Sequence, residues 1–294
     1  MAANNHLFYG KMMEGTALVF RSMIELLSVS LAKTVFQVTP EGISHKNVDA
    51  KEQILIGVDI PMSKFKTYKV ERSFDFRVDL KTMKTELKNV KKKNRLMLLI
   101  TEDNQTQLQF IIEPQSRKTT QKAQKTEIDM IEKQSELCET GYIPINITTE
   151  FVRIDAPEYY KDEHDELMPV YGKPVMMPCT SYGQICRVFK THPITEIKTD
   201  GDGNFICFFH YQKAEQKARI SRMGKYDETQ VIYNERFDSK CLQKTMKMQN
   251  LGSPLLQFSY PTLKEYPLKI QSDSQIGIVS FYIKDSGTIA KMSS

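Results

Sequence analysis

Four lysines, Lys81, Lys84, Lys88 and Lys91, recur every three to four residues inside the stretch 78–95, with only Asp79 and Glu86 opposing them. Apolar Val78, Met83, Leu87 and Val90 recur at the same period on another face, so the stretch predicts a half-buried helix carrying a line of positive charge. The chemistry open to such a line is contact with a polyanion, above all a phosphate backbone. One charged helix reads equally well as a solvated face, so the interpretation depends on repetition. The pattern does recur in a second helix over 238–249, which sets Lys240, Lys244 and Lys247 beside apolar Cys241, Leu242 and Met246. Sliding Val78-Asp79 onto Phe237-Asp238 superposes Lys81 on Lys240, Met83 on Leu242, Leu87 on Met246 and Lys88 on Lys247, keeping core and charge together. Two further helical patterns contribute Arg21, from 15–31, and Arg187 with Lys190, from 182–190.

Other chemistries find fewer residues. The run Asp200-Gly201-Asp202-Gly203-Asn204 begins like a calcium loop, but Phe205 stands where glycine is required and Tyr211 where glutamate is required, so it reads as a hairpin turn. Cys207 and His210 have a ligand-like spacing, yet they fall in an apolar strand with no second pair to complete a zinc site. Neither a dinucleotide nor a P-loop glycine pattern occurs. Asp162, Glu163, Asp165 and Glu166 cluster in a polar stretch, where a solvated loop is the simpler reading. The chain is therefore read as a non-enzyme with no catalytic residues, metal or cofactor. Its basic helices lack the aromatics that stack on single strands and the Asn, Gln and Arg pattern of a recognition helix, which leaves sequence-independent phosphate contact.

The elements that must hold these helices are legible in outline. A chain of 294 residues with 40% hydrophobic and 26% charged residues has a real core and room for two domains. The net charge of +5 is uneven, basic over 81–95 and acidic over 159–166, as suits one face for an anionic polymer and another for something else. Five scattered cysteines, an odd number with no signal-peptide pattern ahead of them, point to a reducing compartment. No apolar run reaches the length of a membrane span, so no membrane partner is expected. The first unit, 1–113, reads helix, a meander of four strands, the lysine helix, then two strands ending in 107–113. The second, 173–294, repeats that order, which makes the fold α+β with an internal structural repeat. Between them, 114–172 loses periodicity and reads as a long connector, within which 126–130 and 143–154 are expected to form strand or pack on a surface.

Several stretches, in order, resemble the eukaryotic sliding clamp family, proliferating cell nuclear antigen (PCNA). These are EGISHKNVDAKEQILIGVDI at 41–60, FKTYKVERSFDFRVDLKTMKTELKNV and LMLLITEDNQTQLQFIIEP within 65–114, VMMPCTSYGQICRVF at 175–189, and LKIQSDSQIGIVSFYIKDSG at 268–287. The resemblance implies two similar clamp domains per chain, helices on one face and antiparallel sheets outside, closing as a homotrimer into a pseudo-six-fold ring. It implies a DNA polymerase processivity factor that encircles double-stranded DNA, is loaded by a clamp loader, and recruits polymerase and other proteins through short motifs. Arg21, Lys81, Lys84, Lys88, Lys91, Arg187, Lys190, Lys240, Lys244 and Lys247 would line the hole. The partner groove would have Val48, Leu55, Ile276 and Gly277 on its floor, with Ile289 nearby. Neighbouring subunits would join through Gln107, Leu108, Phe110 and Ile111 on one side and Ala218 and Ile220 on the other. The chain departs from the family in its long connector, slightly basic balance and short C-terminus, a divergence resembling the clamp of a large DNA virus. The location implied is the nucleus, or a cytoplasmic replication site for a virus. Alternative readings are a subunit of the damage-checkpoint clamp, a processivity factor that binds DNA without forming a ring, and, from another class, a nucleic-acid-modifying enzyme.

Overall fold

The computed structural model describes residues 6–114, 138–149, 154–200, 206–211, 218–222, 229 and 231–287. The chain opens with β1 (His6–Met12) and α1 (Thr16–Ser30), followed by the meander β2 (Lys33–Thr39), β3 (Gly42–Val48), β4 (Ile54–Pro61), β5 (Thr67–Val70) and β6 (Phe74–Asp79). Then come α2 (Leu80–Glu86), β7 (Arg95–Thr101), β8 (Asn104–Glu113) and β9 (Glu139–Thr148). A small hairpin, β10 (Tyr159–Lys161) and β11 (Leu167–Pro169), precedes the second half. That half repeats the plan: β12 (Val175–Pro178), α3 (Cys179–Phe189), β13 (Ile194–Thr199), β14 (Ile206–Tyr211), β15 (Ala218–Arg222), β16 (Tyr233–Asp238), α4 (Ser239–Lys244), β17 (Leu255–Ser259), β18 (Leu268–Ser274) and β19 (Gly277–Ile283).

Both lysine helices are shorter than their periodicity suggests and are built alike. The Asp79 carboxylate accepts the Thr82 N–H at 2.7 Å and the Asp238 carboxylate accepts the Lys240 N–H at 2.9 Å, each capping the first turn. Each helix finishes in a 3-10 turn, Leu87–Asn89 after α2 and Thr245–Asn250 after α4. The helix expected over 78–95 stops because Val90 leaves it in an extended conformation with its side chain fully in the core. Three consecutive lysines follow, and Asn94 folds them into a turn, its side chain accepting the Lys91 N–H while its own N–H returns to the Lys91 carbonyl. Lys91 therefore sits in the loop beyond the helix.

Thirteen strands join in one sheet, in the order β12-β17-β18-β19-β4-β3-β2-β6-β9-β8-β7-β1-β5, and the second half adds a four-stranded sheet, β15-β14-β13-β16. The two halves meet at β19 and β4, antiparallel from Ile278 opposite Asp59 to Ile283 opposite Ile54. The connector expected over 114–172 is partly sheet: residues 139–144 pair with β8 and residues 145–148 with β6. The first half's sheet thus runs to Thr148, past the boundary expected at Glu113, while 126–130 lies outside the described residues. Alternation along the seam strands puts Ile54, Ile56, Val58 and Ile60 of β4 and Val279, Phe281 and Ile283 of β19 in the continuous apolar core.

One polar side chain is built into that core. His45 on β3 is 2% exposed, stacks 5.4 Å from Phe36, and has Nδ1 within 3.0 Å of both the Thr34 hydroxyl and the Val35 carbonyl. Burial lowers its pKa from 6.5 to about 4, against the opposing pull of the Val35 carbonyl. The unfolded chain takes up this proton near pH 6.5 and the folded chain only near pH 4, so stability is present above 6.5 and falls through that window on acidification. The loss is on the order of 3 kcal/mol by pH 4. Thermal unfolding of His45→Gln should have a flatter pH profile between 6.5 and 4.5 than the parent; an identical profile would remove His45 from the acid response.

Candidate functional site

The four helices lie side by side in one layer against the sheets. α1 contacts α2 on one flank and α4 with its 3-10 turn on the other, and α3 packs on α4 and that same turn, so the order is α2, α1, α4, α3. Each turns its apolar side inward: Phe20, Met23, Ile24 and Leu27 of α1, Leu80 and Met83 of α2, Tyr182 and Phe189 of α3, and Cys241 and Leu242 of α4. Burying those sides leaves Lys81, Lys84, Lys88, Arg187, Lys190 and Lys240 exposed, with Lys91 exposed in the adjoining loop. Among the described residues no salt bridge engages any of the seven. Lys92 and Lys93 are exposed beside Lys91 and were not among the expected cations, although Lys92 stands four residues after Lys88.

The remaining three expected cations are engaged within the chain. Arg21 donates through Nε to Glu25 at 2.9 Å and through Nη1 to the Val90 carbonyl at 2.9 Å, and Lys247 reaches the other Glu25 oxygen at 3.2 Å. Burial pushes the Glu25 carboxyl up, but the hydrogen bonds from Lys247 and Arg21 outweigh it and hold the group below its ordinary value. Lys244 donates to Asp49 at 2.8 Å. Asp49 is 3% exposed and also accepts the N–H groups of Gln53 and Ile54, which with Lys244 overcome the upward push of burial. Glu25 and Asp49 belong to the first half and Lys244 and Lys247 to the second, so these pairs fasten the halves across the helix layer.

On the opposite face of the sheet the strand registers align a row of four side chains. Val48 pairs with Leu55, Leu55 with Tyr282, and Tyr282 with Lys269. Val48 and Leu55, expected on a groove floor, stand here half-buried and outside the core. The other two expected floor residues, at the start of β19, do not lie on that face. Ile276 is fully buried in the core, and Gly277 is a buried residue following the β18–β19 turn, whereas the outward positions of that strand are Ile278, Ser280 and Tyr282. Ile289 lies outside the described residues. Alternation along β19 is the signal that identifies Tyr282.

The expected joining strand also needs correction on one side. Gln107, Leu108, Phe110 and Ile111 lie on β8, which is hydrogen-bonded on both sides, to β7 and to β9, and Leu108 and Phe110 are core residues. That strand has no free edge to offer over these residues. β9 takes the position beyond it: residues 139–144 have a ladder partner only on β8 among the described residues. Ala218 and Ile220 are on β15, an edge strand paired to β14 alone among the described residues, with Ala218 opposite Tyr211 and Ile220 opposite Phe209.

The chain matches the family model for the N-terminal domain of proliferating cell nuclear antigen over residues 8–137. It is 34% identical over 85 residues to a DNA polymerase sliding clamp of Pyrococcus horikoshii, an alignment covering 29% of this chain and 34% of that one. A DNA polymerase sliding clamp of Thermococcus onnurineus is 30% identical over 91 residues, covering 31% and 36%. The chain thus spans about a third of the length of the curated relatives it matches. Its fold is that of solved clamps over nearly the whole chain. A PCNA2–PCNA3 complex from Sulfolobus tokodaii superposes with a TM-score of 0.70 at 16% identity, covering 95% of this chain and 99% of that one. The PCNA of Entamoeba histolytica superposes with a TM-score of 0.70 at 15% identity, covering 96% and 99%.

Proposed function

Because the chain matches the model of the proliferating cell nuclear antigen N-terminal domain over residues 8–137 and is similar in sequence to DNA polymerase sliding clamps, we propose that it is a non-enzymatic processivity factor of that family that closes into a ring around duplex DNA and tethers a DNA polymerase. The observation that carries the reading is the single helix layer with seven exposed cations over an apolar underside. Lysines at helical spacing meet phosphates as point charges and read no base edges, so they hold DNA without choosing a sequence. Such contacts are weak and salt-dependent individually, and topological closure supplies the persistence they lack. Copies of the chain would join β9, through the side opposite β8, to the free edge of β15, an antiparallel junction of the same kind as β19 with β4. A homotrimer is the closed state proposed, opened by a clamp loader at the site of replication. Short motifs of the polymerase and of other replication proteins would dock on the outer row Val48, Leu55 and Tyr282.

The protein is expected to sediment as a trimer at micromolar concentration and, once loaded, to remain on closed circular duplex while running off the same DNA after it is cut. A persistent monomer, or equal retention on circular and cut DNA, would sink the ring.

A further inference from the structure

We infer that the turn end of the seam between the two halves is a docking notch of its own, built for a basic peptide segment that presents one aliphatic side chain between two lysines. Four residues along each strand from the row Val48, Leu55, Tyr282 and Lys269, a second row crosses the same four strands. Ser44 of β3 stands opposite Asp59 of β4, Asp59 opposite Ile278 of β19, and Ile278 opposite Asp273 of β18. The two rows lie about 13 Å apart, so a ligand seated on one leaves the other free. Asp59 and Asp273 are exposed, and between them Ile278 is 40% exposed. Adjacent strands lie about 5 Å apart, so an apolar side chain is flanked at that spacing by a carboxylate on either side. Among the described residues neither of these carboxylates has a hydrogen-bond or ion-pair partner.

This row borders an open cavity of about 460 Å³ between the β2–β3 turn and the β18–β19 turn. Its lining joins the exposed carboxylate of Glu41 to those of Asp59 and Asp273, against one cation, Lys64, and sets Pro61 and Ile278 among them. Three carboxylates to one ammonium is the reverse of the balance of a chain whose net charge is +5. Glycines let both turns press onto the end of β4: a Cβ on Gly42 would stand 2.2 Å from the Ile60 carbonyl oxygen, and one on Gly277 would meet that of Asp59. The turns are tied down as well. The Met62 N–H donates to the Glu41 carbonyl at 2.8 Å, the Tyr68 hydroxyl to the Thr39 carbonyl at 2.7 Å, and the Ser274 hydroxyl to the Gly277 carbonyl at 2.6 Å. The notch is therefore preformed, and a ligand bears little of the cost of ordering it. A metal ion would answer the carboxylates and leave Ile278 in water, whereas an apolar anchor alone would desolvate Asp59 and Asp273 without partners. An extended peptide answers both. Alternate side chains face the sheet, so an aliphatic residue over Ile278 carries its cations two positions before and after, about 7 Å away, within reach of the carboxylates on flexible stems.

The test uses the full-length protein and a fluorescein-labelled peptide, Gly-Lys-Ser-Leu-Ser-Lys-Gly, read by anisotropy at about 0.05 M salt, where exposed charge pairs are little screened. Saturable binding with a Kd of roughly 0.1 to 0.5 mM is expected. Asp59→Asn combined with Asp273→Asn should weaken it about tenfold, and Ile278→Ser about fivefold. All three side chains are exposed, so the fold should persist in these variants. Glu71→Gln combined with Asp103→Asn removes the same charge from exposed positions elsewhere in the first half and should bind as the parent does. A peptide with serine in place of leucine should bind about as weakly as the parent peptide binds Ile278→Ser. Absence of saturable binding overturns the notch. So does equal binding of the leucine-free peptide, which would mean simple attraction of a polycation, or unchanged binding by Ile278→Ser. Weakening by the Glu71 and Asp103 pair as large as that by the Asp59 and Asp273 pair would likewise reduce the effect to net charge and overturn the site.

Discussion

Reversing Lys81, Lys84 and Lys88 together to glutamate is expected to weaken duplex DNA binding by roughly two to three orders of magnitude at about 0.1 M salt and to lower the salt slope by about three. Each phosphate contact contributes about 0.9 to that slope, so three lost contacts are readable as a number rather than a trend. The three side chains are exposed on one face of α2 and its 3-10 turn, and the Asp79 cap and the buried Leu80, Met83 and Leu87 are untouched, so the fold should persist. Lys244→Met is the instructive contrast. Lys244 already belongs to Asp49, so its removal should leave the slope in place and instead lower stability, on the order of 2 kcal/mol, by leaving a buried carboxylate with only its two backbone donors. Titrating KCl against a short labelled duplex decides both. An unchanged slope in the triple variant would mean that these lysines face bulk solvent, and a lowered slope in Lys244→Met would mean that the ion pair opens to DNA.

Gly277→Ala is expected to cost roughly 4 kcal/mol, a fall in melting temperature of about 10 °C. Gly277 has φ +139, a backbone that side chains rarely adopt, and a Cβ there would stand 2.0 Å from the Asp59 carbonyl oxygen and 3.1 Å from Ile60 Cα. Those atoms are backbone of β4 and cannot rotate away, so relief requires parting the first residues of β19 from β4 at the junction of the two halves. Gly57→Ala on the same junction makes the comparison sharp. Its Cβ would meet nothing nearer than Lys46 Cγ at 3.9 Å, and its backbone is ordinary, so a change within about 0.5 kcal/mol is expected. Equal melting temperatures for the two variants would refute the steric account of the seam.

Both lysine helices were legible because period and cap agree: apolar and basic residues alternate at helical spacing, and an aspartate stands before each first turn. The repeat of strand order was legible for the same reason, since local pattern specifies local structure. What the sequence withheld depends on distance or on a missing pattern. Lys244 and Lys247 look as free as Lys240, and only folding brings them to partners 195 and 222 residues earlier. β9 follows a long unpatterned stretch, and Pro144 and Gly141 inside it weaken the strand signal, so the pairing role fell to β8. At β19 the expectation stopped at the start of the strand: Ile276 lies in the turn before it and is buried in the core, and alternation within Gly277–Ile283 is what turns Tyr282 to the outer face.

The two carboxylates that fasten the halves also shape the surface a duplex would travel along. Glu25 and Asp49 offset two of the three positive charges of Arg21, Lys244 and Lys247 where α1 meets α4, so the positive track divides into one lobe on α2 and its loop and another on α3 and the start of α4, with a less positive saddle between. For a helix of DNA threaded through a closed assembly, successive lobes act as shallow wells separated by low ground. A phosphate released at one lobe crosses the saddle without a deep trap to escape. If the proposed ring forms, friction against sliding would be set by the depth of single lobes and not by the summed charge of the lining.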